Sequence, residues 1–254
     1  MSSATIGTLP AGSRDERVLE LAVLTTLGVD ISKTAKILDF GCGEGNTLRA
    51  LHRLGYVNAL GYDVGDSRGG TRWGADGDHI TVGTLLNLRL PYEDNTFDLV
   101  ISDQVFEHVQ DQVRVFEELH RITKPGGHGM HIIPARYAPI EVHILVPFGG
   151  VFQHRWWYKL WALLGVRNQY QTGLSADETA DYNAFFASEA TRYVPTSCYR
   201  VVWKEIGFEY RFAEQEFFDG HVRSSMRMIG RLGRPVAWIY RTFRSRVVYL
   251  RKPT

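Results

Sequence analysis

A glycine-rich segment near the N-terminus sets the expected class of this protein: Asp39-Phe40-Gly41-Cys42-Gly43-Glu44-Gly45-Asn46. It follows a short apolar run, residues 36–40, whose composition predicts a buried strand. Glycines at alternate positions let the backbone turn sharply out of a strand and approach a ligand closely. Residues 47–54 then have a helical pattern. The sequence therefore predicts a ligand-binding turn between the first strand and a helix.

A dinucleotide-binding turn is the main alternative for this segment. That fingerprint needs Gly-x-Gly-x-x-Gly, in which the last glycine lets the helix pack closely beside a pyrophosphate. Here Gly45 comes one residue early, and Asn46 holds the place of the third glycine. Asp39, at the end of the strand, would repel a diphosphate and attract the ammonium group of an amino acid. The pattern favours a ligand with an amino-acid portion.

Strands and helices alternate around this junction. Residues 14–27 and 110–122 have helical periodicity, and residues 59–64, 97–102 and 129–134 have the composition of strands, with final strands predicted over 209–218 and 247–250. Such alternation implies right-handed crossovers and a parallel sheet with helices on both faces. Asp63 ends the second strand, where its carboxylate can accept hydrogen bonds from both hydroxyls of a ribose. Taken singly, Asp39 and Asp63 could instead be helix caps.

Four elements in this order resemble the class I S-adenosylmethionine-dependent methyltransferases, in particular the subgroup called type 11. They are the glycine-rich turn, Asp63, the segment LPYEDNTFDLVISDQVFEHV at 90–109, and Lys124-Pro125-Gly126-Gly127. The resemblance covers about residues 35–134. It implies an α/β fold, with a Rossmann-like, seven-stranded, mostly parallel sheet and an inserted helical cap. It also implies methyl transfer with S-adenosylmethionine as the cofactor.

The resemblance further implies a set of donor-binding residues. Gly41, Gly43 and Gly45 would border the methionine and ribose, Asp63 would hold the ribose, and Val64 would lie against the adenine. The whole set is Asp39, Gly41, Cys42, Gly43, Gly45, Asp63, Val64, Thr84, Leu85, Ser102, Asp103 and Gln104. The last three lie at the end of the strand motif FDLVIS and just after it, where the family's residues approach the methionine end and the methyl group.

One departure from the family concerns the adenine. The family often has an acidic residue shortly before its Leu-Pro pair, where it accepts a hydrogen bond from the adenine amino group. Here the run is Gly83-Thr84-Leu85-Leu86-Asn87. The adenine contact would then come from the backbone, from Thr84 or from Asn87.

Methyl transfer from a sulfonium is an in-line displacement, so catalysis depends mainly on alignment of the acceptor with the methyl group. A hydroxyl acceptor also needs a general base. Four residues are candidates, and the sequence leaves the choice between them open: His108, His143, Asp103 and Glu141.

His108 follows the carboxyl edge of the sheet, where open α/β sheets bind ligands, although it could equally bond to backbone at a helix start. Glu141 and His143 would share one face of an extended segment, which suits an imidazole oriented by a carboxylate. They could also form the polar face of an ordinary strand. No group of His, Cys and carboxylate residues has metal-ligand spacing, so the sequence predicts no metal.

Residues 135–194 interrupt the alternation of strands and helices. The segment is too long for a structureless connection, is rich in aromatic residues, and has helical patterns near 154–164 and 177–192. The predicted division is an N-terminal helical segment (1–34), the donor-binding core (35–134), a substrate cap (135–194) and a C-terminal completion of the core with a basic helix (195–254). ARYAPIEVHILVPFGG, at 135–150, resembles an insertion in bacterial methyltransferases that act on saccharides, often lipid-linked ones. It implies O-methylation of a saccharide or another hydroxylated metabolite.

Charge is unevenly distributed along the chain. The 29 basic and 28 acidic residues leave a net charge of +1, yet no acidic residue follows Asp219 and nine basic ones do. Four arginines in this segment have helical spacing, which predicts one basic helix face near Trp238. They are Arg223, Arg227, Arg231 and Arg234. Such a face suits phosphate groups or an anionic membrane surface. It could also be a solvated face that pairs with the acidic remainder or with a second subunit.

Two other functions stay open at this point: methylation of a nucleic acid, which only the basic segment favours, and a non-catalytic, donor-binding regulatory role.

A hydrophobic fraction of 44% and a charged fraction of 22% exclude a disordered chain. The two cysteines lie far apart, and no run of about 18 apolar residues occurs. We therefore expect a soluble cytoplasmic protein, in peripheral contact with the inner face of a membrane through its basic segment.

Overall fold

A computed structural model describes residues 16–64, 80–83 and 89–254. Within them, seven strands form one sheet in the order β3-β2-β1-β4-β5-β7-β6. The strands are β1 (Ile37–Phe40), β2 (Ala59–Val64), β3 (Ile80–Gly83), β4 (Phe97–Asp103), β5 (Thr123–Pro134), β6 (Glu209–Phe212) and β7 (Ser245–Arg251). β1 to β5 pair in parallel, and β7 runs antiparallel to both β5 and β6. The predicted Rossmann-like sheet is confirmed.

Helices cover both faces of the sheet. In the described part of the chain they are α1 (Leu19–Thr26), α2 (Asn46–Arg53), α3 (Gln112–Ile122), α4 (Arg155–Leu163), α5 (Ala176–Phe185), α6 (Thr196–Ile206), α7 (Glu214–Gly220), α8 (Ser224–Gly230) and α9 (Arg234–Phe243). Ile37 of β1 lies in the core under α1, α2 and α7, while its neighbour Leu38 lies in the core under α3 and α6. This alternation of a buried strand explains its continuous apolar run. Because β1, β2 and β4 are parallel, the turns that follow them meet at one edge of the sheet.

α4 and α5 pack against each other over a separate small core. Its fully buried members are Ile144, Val146, Tyr158 and Ala180, with Ala187 nearly buried. Ser175 begins α5 through a reciprocal pair of hydrogen bonds with Glu178, which satisfies backbone donors at the helix start. The two predicted helical patterns are thereby confirmed. The division of the chain into core and cap stays a prediction.

Two predictions about the C-terminal part are wrong. The strand expected over 209–218 ends at Phe212, because Phe217 and Phe218 lie on α7 and pack into the core against α1. The basic helix is two helices, α8 and α9, since the chain turns at Gly233 with φ of 75°. The four arginines therefore do not share one helix face.

Two arginines of this segment also bond within the molecule. Arg223 pairs with Glu16, and Arg227 donates to the carbonyls of His221 and Val222. Among the helices of the described ranges, none combines the length and the apolar character that a membrane span requires.

The predicted N-terminal helix begins late, at Leu19, after a single 3-10 turn over Glu16–Val18, and Arg14 lies outside the described residues.

Candidate active site

The glycine-rich turn leaves β1 through a chain of left-handed residues. Gly41, Gly43 and Gly45 all have positive φ, a conformation that costs little only for glycine. Gly41 donates its N–H to the carbonyl of Tyr62 at 2.8 Å, which ties the turn to β2. A Cβ at Gly41 would overlap the side chain of Val105, in the turn after β4. The glycine thus lets the turns after β1 and β4 meet.

Asp63 lies beside this turn at the end of β2. One carboxylate oxygen, Oδ2, accepts the N–H of Gly43 at 2.7 Å. Burial raises the pKa of Asp63, and the hydrogen bonds from Gly43 and Val64 oppose that rise. A carboxylate keeps further acceptor positions on both oxygens. The arrangement leaves Asp63 able to accept hydrogen bonds from a vicinal diol.

Asp39 lies below the turn and is almost completely buried, with 5% of its surface exposed. Its Oδ2 finds no hydrogen-bond partner among the described residues. Burial, followed by the charges of Asp103 and Asp63, raises the pKa of Asp39 to about 7. A buried, unpartnered carboxyl group of this kind is costly unless a ligand with a cation or a donor occupies the site.

A cavity of about 240 Å³, the donor cavity, lies against the turns after β1, β2 and β4. Its walls include Gly41, Asp63, Val64, Gln104, Val105 and His108. Val64 is 45% exposed and offers an apolar surface to a flat ring. Gln104 has φ of 54° and donates its N–H to Ile132 at 2.9 Å, so β4 turns abruptly after Asp103.

Four of the predicted donor-binding residues are either buried or outside the described part of the chain. Ser102 is fully buried, and its hydroxyl bonds to Nδ1 of His131 at 2.8 Å, so its side chain faces the core instead of the cavity. A contact between Ser102 and the donor, which the resemblance implied, stays a prediction. Cys42 is buried in the turn, where burial and Asp39 raise the pKa of its thiol. Thr84 and Leu85 lie outside the described residues.

The predicted pair of Glu141 and His143 does come together. Oε1 of Glu141 lies 2.7 Å from Nδ1 of His143, and its Oε2 accepts the N–H groups of His143 and Ile144 at 2.8 Å each. The expected reason was wrong, because residues 141–144 form a tight turn instead of an extended strand. The pKa of His143 is raised, and the largest cause is the hydrogen bond that its Nδ1–H donates to Glu141. Burial would raise the pKa of Glu141, but its bonds with His143 and Tyr193 leave it lowered.

His108 lies against His143, with ring centroids 5.0 Å apart and ring planes at 82°. Nδ1 of His108 lies 2.9 Å from the carbonyl of Ala190, so that nitrogen carries the proton and Nε2 has a free lone pair. Burial lowers the pKa of His108, with a smaller contribution from His143. The imidazole is therefore neutral near pH 7.

Sequence reasoning missed two residues of this group. Glu107 is buried, and its Oε2 has no hydrogen-bond partner among the described residues. Tyr193 donates its hydroxyl to Oε1 of Glu141 at 2.5 Å. An acid inside the apolar run VFEHV could have pointed to Glu107. No local signal marks Tyr193, which comes from a distant part of the chain.

Two cavities are each lined by one of the histidines, and a third lies nearby. His108 lines the donor cavity, and His143 lines a second cavity of about 400 Å³, the aromatic cavity, whose walls include Tyr170, Tyr182 and Phe186. A large cleft of about 790 Å³ extends from Asp103 and Gln104 between α7, α8 and α9. Gln104 also lines the donor cavity, and Val142 lines both the large cleft and the aromatic cavity. The two histidine rings, which are in contact, thus lie between the donor cavity and the aromatic cavity.

Comparison with known proteins finds similarity to methyltransferases over part of the chain. A family model described as a methyltransferase domain matches residues 38–130. The chain is 40% identical over 106 residues to the glycine/sarcosine/dimethylglycine N-methyltransferase of Actinopolyspora halophila, a match that covers 39% of this chain and 18% of that protein. It is 29% identical over 116 residues to the cycloartenol-C-24-methyltransferase 1 of Oryza sativa, covering 39% and 30%. The matches thus span less than a third of either relative.

Solved structures support the same fold. An S-adenosylmethionine-dependent methyltransferase from Mesorhizobium loti superposes with a TM-score of 0.55 at 19% identity. The superposition covers 91% of this chain and 96% of that one, so the likeness in fold extends well beyond residues 38–130.

Proposed function

Since residues 38–130 belong to the methyltransferase-domain family, we propose that the protein transfers the methyl group of S-adenosylmethionine to a hydroxyl. The acceptor we propose carries a saccharide ring and an apolar, lipid-like portion. The two curated relatives are named for different acceptor atoms, nitrogen and carbon. The acceptor class therefore rests on this chain's own side chains.

The donor assignment rests on one observation above all. Asp39 is a buried carboxyl group, and one of its oxygens has no hydrogen-bond partner among the described residues. It precedes the glycine-rich turn, whose Gly43 donates to Asp63, and the carboxylate of Asp63 is available to a diol. S-adenosylmethionine has an ammonium group and a ribose, and it has no diphosphate. The cation offsets the cost of ionising Asp39, and the ribose hydroxyls complete the hydrogen bonds of Asp63. Val64 supplies the apolar contact for the adenine ring.

The two histidines between the donor cavity and the aromatic cavity favour a hydroxyl acceptor. As the new O–C bond forms, the C–S bond breaks and its electron pair leaves with the sulfur, which becomes a neutral thioether. The hydroxyl proton must be lost in the same process. His108 and His143 stand where that proton leaves, and Glu141 and the carbonyl of Ala190 fix their rings. Base assistance of this kind contributes about 10²–10⁴-fold.

The aromatic cavity supports a ring-shaped portion of the acceptor. Tyr170, Tyr182 and Phe186 line it beside His143, and Asn168 and Gln169 add polar groups. Tyr170 is 71% exposed. Aromatic faces with neighbouring amides suit a saccharide, because its C–H surface packs on rings while its hydroxyls bond to polar groups.

The large cleft supports an apolar portion. Its lining includes Ile229 of α8 and both Ile239 and Phe243 of α9, which are 40%, 49% and 38% exposed. Beside it, Met228, Leu232 and Trp238 are more than half exposed. An exposed apolar surface around a cleft is typical of proteins that take a ligand from, or lie against, a lipid surface. Peripheral membrane contact through α8 and α9 is accordingly part of the proposal.

Acceptor screening tests this proposal. The protein is incubated with S-adenosylmethionine carrying a radioactive methyl group and with three acceptors: a detergent-solubilised lipid-linked saccharide, the same saccharide without lipid, and duplex DNA with RNA. We expect methyl transfer to a hydroxyl of the lipid-linked saccharide and much less transfer to the free sugar. Transfer to nucleic acid alone would refute the acceptor class. Donor binding without transfer to any hydroxylated acceptor would favour the non-catalytic role.

A further inference from the structure

Glu107, His108 and His143 bring together three metal-ligating groups. Each offers one ligand atom, and these atoms all lie within 4.8 Å of one another. Two of the residues are neighbours after β4, and the third comes from the turn beyond β5. The sequence did not predict this group, because only the fold brings His143 close to Glu107 and His108.

The outer hydrogen bonds of both histidines leave a nitrogen for a ligand. Nδ1 of His143 bonds to Glu141, whose other oxygen is held by two backbone N–H groups. Nδ1 of His108 bonds to the carbonyl of Ala190. In each ring, Nε2 then carries the lone pair. Carboxylate and carbonyl partners of this kind orient histidines at metal sites.

Glu107 supplies the second, independent observation. Its side chain is 1% exposed, and Oε2 finds no hydrogen-bond partner within the described ranges. Its Oε1 lies 4.0 Å from Nε2 of His108. A buried carboxylate with an open oxygen beside two imidazoles is costly without a cation and well suited to one.

From this geometry we infer that Glu107, His108 and His143 bind one divalent cation of the kind that prefers imidazole ligands, with Zn²⁺ as the representative. Two imidazoles and one carboxylate form a three-ligand set that leaves positions open for water or a substrate oxygen. Metal–ligand bonds of about 2.0–2.2 Å place ligand atoms about 3–3.5 Å apart. The three ligand atoms, now within 4.8 Å of one another, must therefore draw closer when the ion binds.

The catalytic role of the ion rests on the proposed function. The binding of the ion does not. The site lies between the donor cavity, which His108 lines, and the aromatic cavity, which His143 lines, so an acceptor hydroxyl can take an open position on the ion. With the ion bound, Nε2 of each imidazole is a ligand and no longer a base. The cation instead lowers the pKa of that hydroxyl, and its proton passes to solvent while the oxygen attacks the methyl group. Glu141 and Tyr193 act as positioning residues through His143.

Calorimetry with the metal alone tests the site. Full-length protein is stripped with a chelator and titrated with ZnCl₂, and CoCl₂ is added separately so that the visible absorption of Co²⁺ reports the ligand set. We expect one ion per chain. Glu107→Gln and His143→Ala should each weaken binding by more than the roughly 10–100-fold loss that is typical when a supporting group is changed. Glu141→Gln should fall within that smaller range.

His154→Ala is the matched control, because His154 is an exposed histidine at the start of α4. It should bind the ion as the wild type does. Circular dichroism checks that each variant is folded. Absence of one-to-one binding in the wild-type protein would overturn the inference, and so would unchanged affinity in folded Glu107→Gln and His143→Ala.

Donor binding separates this inference from the proposed function. The chelated protein should bind S-adenosylhomocysteine with unchanged affinity and lose methyl transfer, which Zn²⁺ restores. Full transfer by the chelated protein would refute the catalytic role of the ion. Loss of donor binding in the metal-loaded protein would instead count against the proposed function.

Discussion

The side chain of Val105 occupies the space where Gly41 would carry a Cβ. Gly41 follows β1 and Val105 follows β4, so the contact joins two turns that line the donor cavity. Gly41 also has φ of 78°, which adds backbone strain to any larger residue. The contact explains why this position of the motif must be glycine in physical terms.

We predict that Gly41→Ala lowers the free energy of unfolding by about 2–4 kcal/mol, from strain and overlap together. Adding Val105→Ala should remove the overlap and return only part of the loss. Gly28→Ala is the matched control, since Gly28 has φ of 79° and nothing within 4 Å of an added Cβ. Urea unfolding measures all four proteins. A loss in Gly41→Ala no larger than in Gly28→Ala would refute the contact.

Asp39 should make the donor-free protein less stable as pH rises. Its pKa, about 7, is above its ordinary value of 3.8, so the folded state holds a proton that the unfolded state releases. Stability from this group is complete below pH 4 and is lost as pH rises towards 7. Asp39→Asn should therefore stabilise the protein by about 1–3 kcal/mol at pH 8 and by little at pH 4.

Thermal unfolding at the two pH values measures this difference. Asp30→Asn, at an exposed aspartate beyond the other edge of the sheet, should change neither. The ammonium of the donor should ionise Asp39, so donor binding at pH 6 should release a proton. Binding enthalpies in buffers of different ionisation enthalpy detect that proton. Equal enthalpies in all buffers would contradict the assignment.

The histidine group should affect turnover and leave donor binding unchanged. His143→Ala removes an imidazole at the cavity junction, and we expect turnover to fall by about 10²–10⁴-fold. Affinity for S-adenosylhomocysteine should stay within about twofold, because His143 does not line the donor cavity. His154→Ala should retain full turnover. Equal losses of donor affinity and turnover in His143→Ala would mean that the variant disturbs the whole site.

Arg241 should contribute to stability instead of binding an external phosphate. It pairs with the fully buried Glu214 at 2.5 Å and lies over the ring of Phe212. Burial raises the pKa of Glu214 and Arg241 opposes that rise, so removal of the arginine leaves a buried carboxylate unpaired. We predict that Arg241→Ala costs about 3–5 kcal/mol at pH 8 and less at pH 5, where Glu214 can bind a proton.

Chemical denaturation at both pH values tests this pair. Arg234→Ala, at an exposed arginine of the same segment, should change stability by less than about 0.5 kcal/mol. A cost that is equal for the two variants would show that Arg241 is an ordinary surface residue.

The sheet and the donor turn could be predicted from sequence because their signals are local. Burial of β1 on both faces produces a continuous apolar run, and positive φ at Gly41, Gly43 and Gly45 requires glycine. Asp63 follows its strand directly, so parallel topology alone brings it to the turn. In each case, neighbouring residues determine the geometry.

The contacts of the basic segment and the cation site could not be predicted from the sequence, because they join residues that are far apart in the chain. Arg223 and Arg227 have helical spacing, yet their partners are Glu16 and carbonyl groups before α8, and one of these lies at the other end of the chain. Glu107 and His143 meet only because β5 and the turn after it return beside β4. Spacing along a sequence does not reveal such pairs.

Donor binding to the Asp63→Ala variant tests the central claim most directly. Calorimetry measures the affinity of S-adenosylhomocysteine for the wild type, for Asp63→Ala and for Asp30→Ala, an exposed aspartate remote from the donor cavity. The account predicts tight one-to-one binding to the wild type and to Asp30→Ala, and at least about tenfold weaker binding to Asp63→Ala, since a charged acceptor of two hydrogen bonds is lost. Equal affinity of all three proteins, or no binding to the wild type, would contradict it.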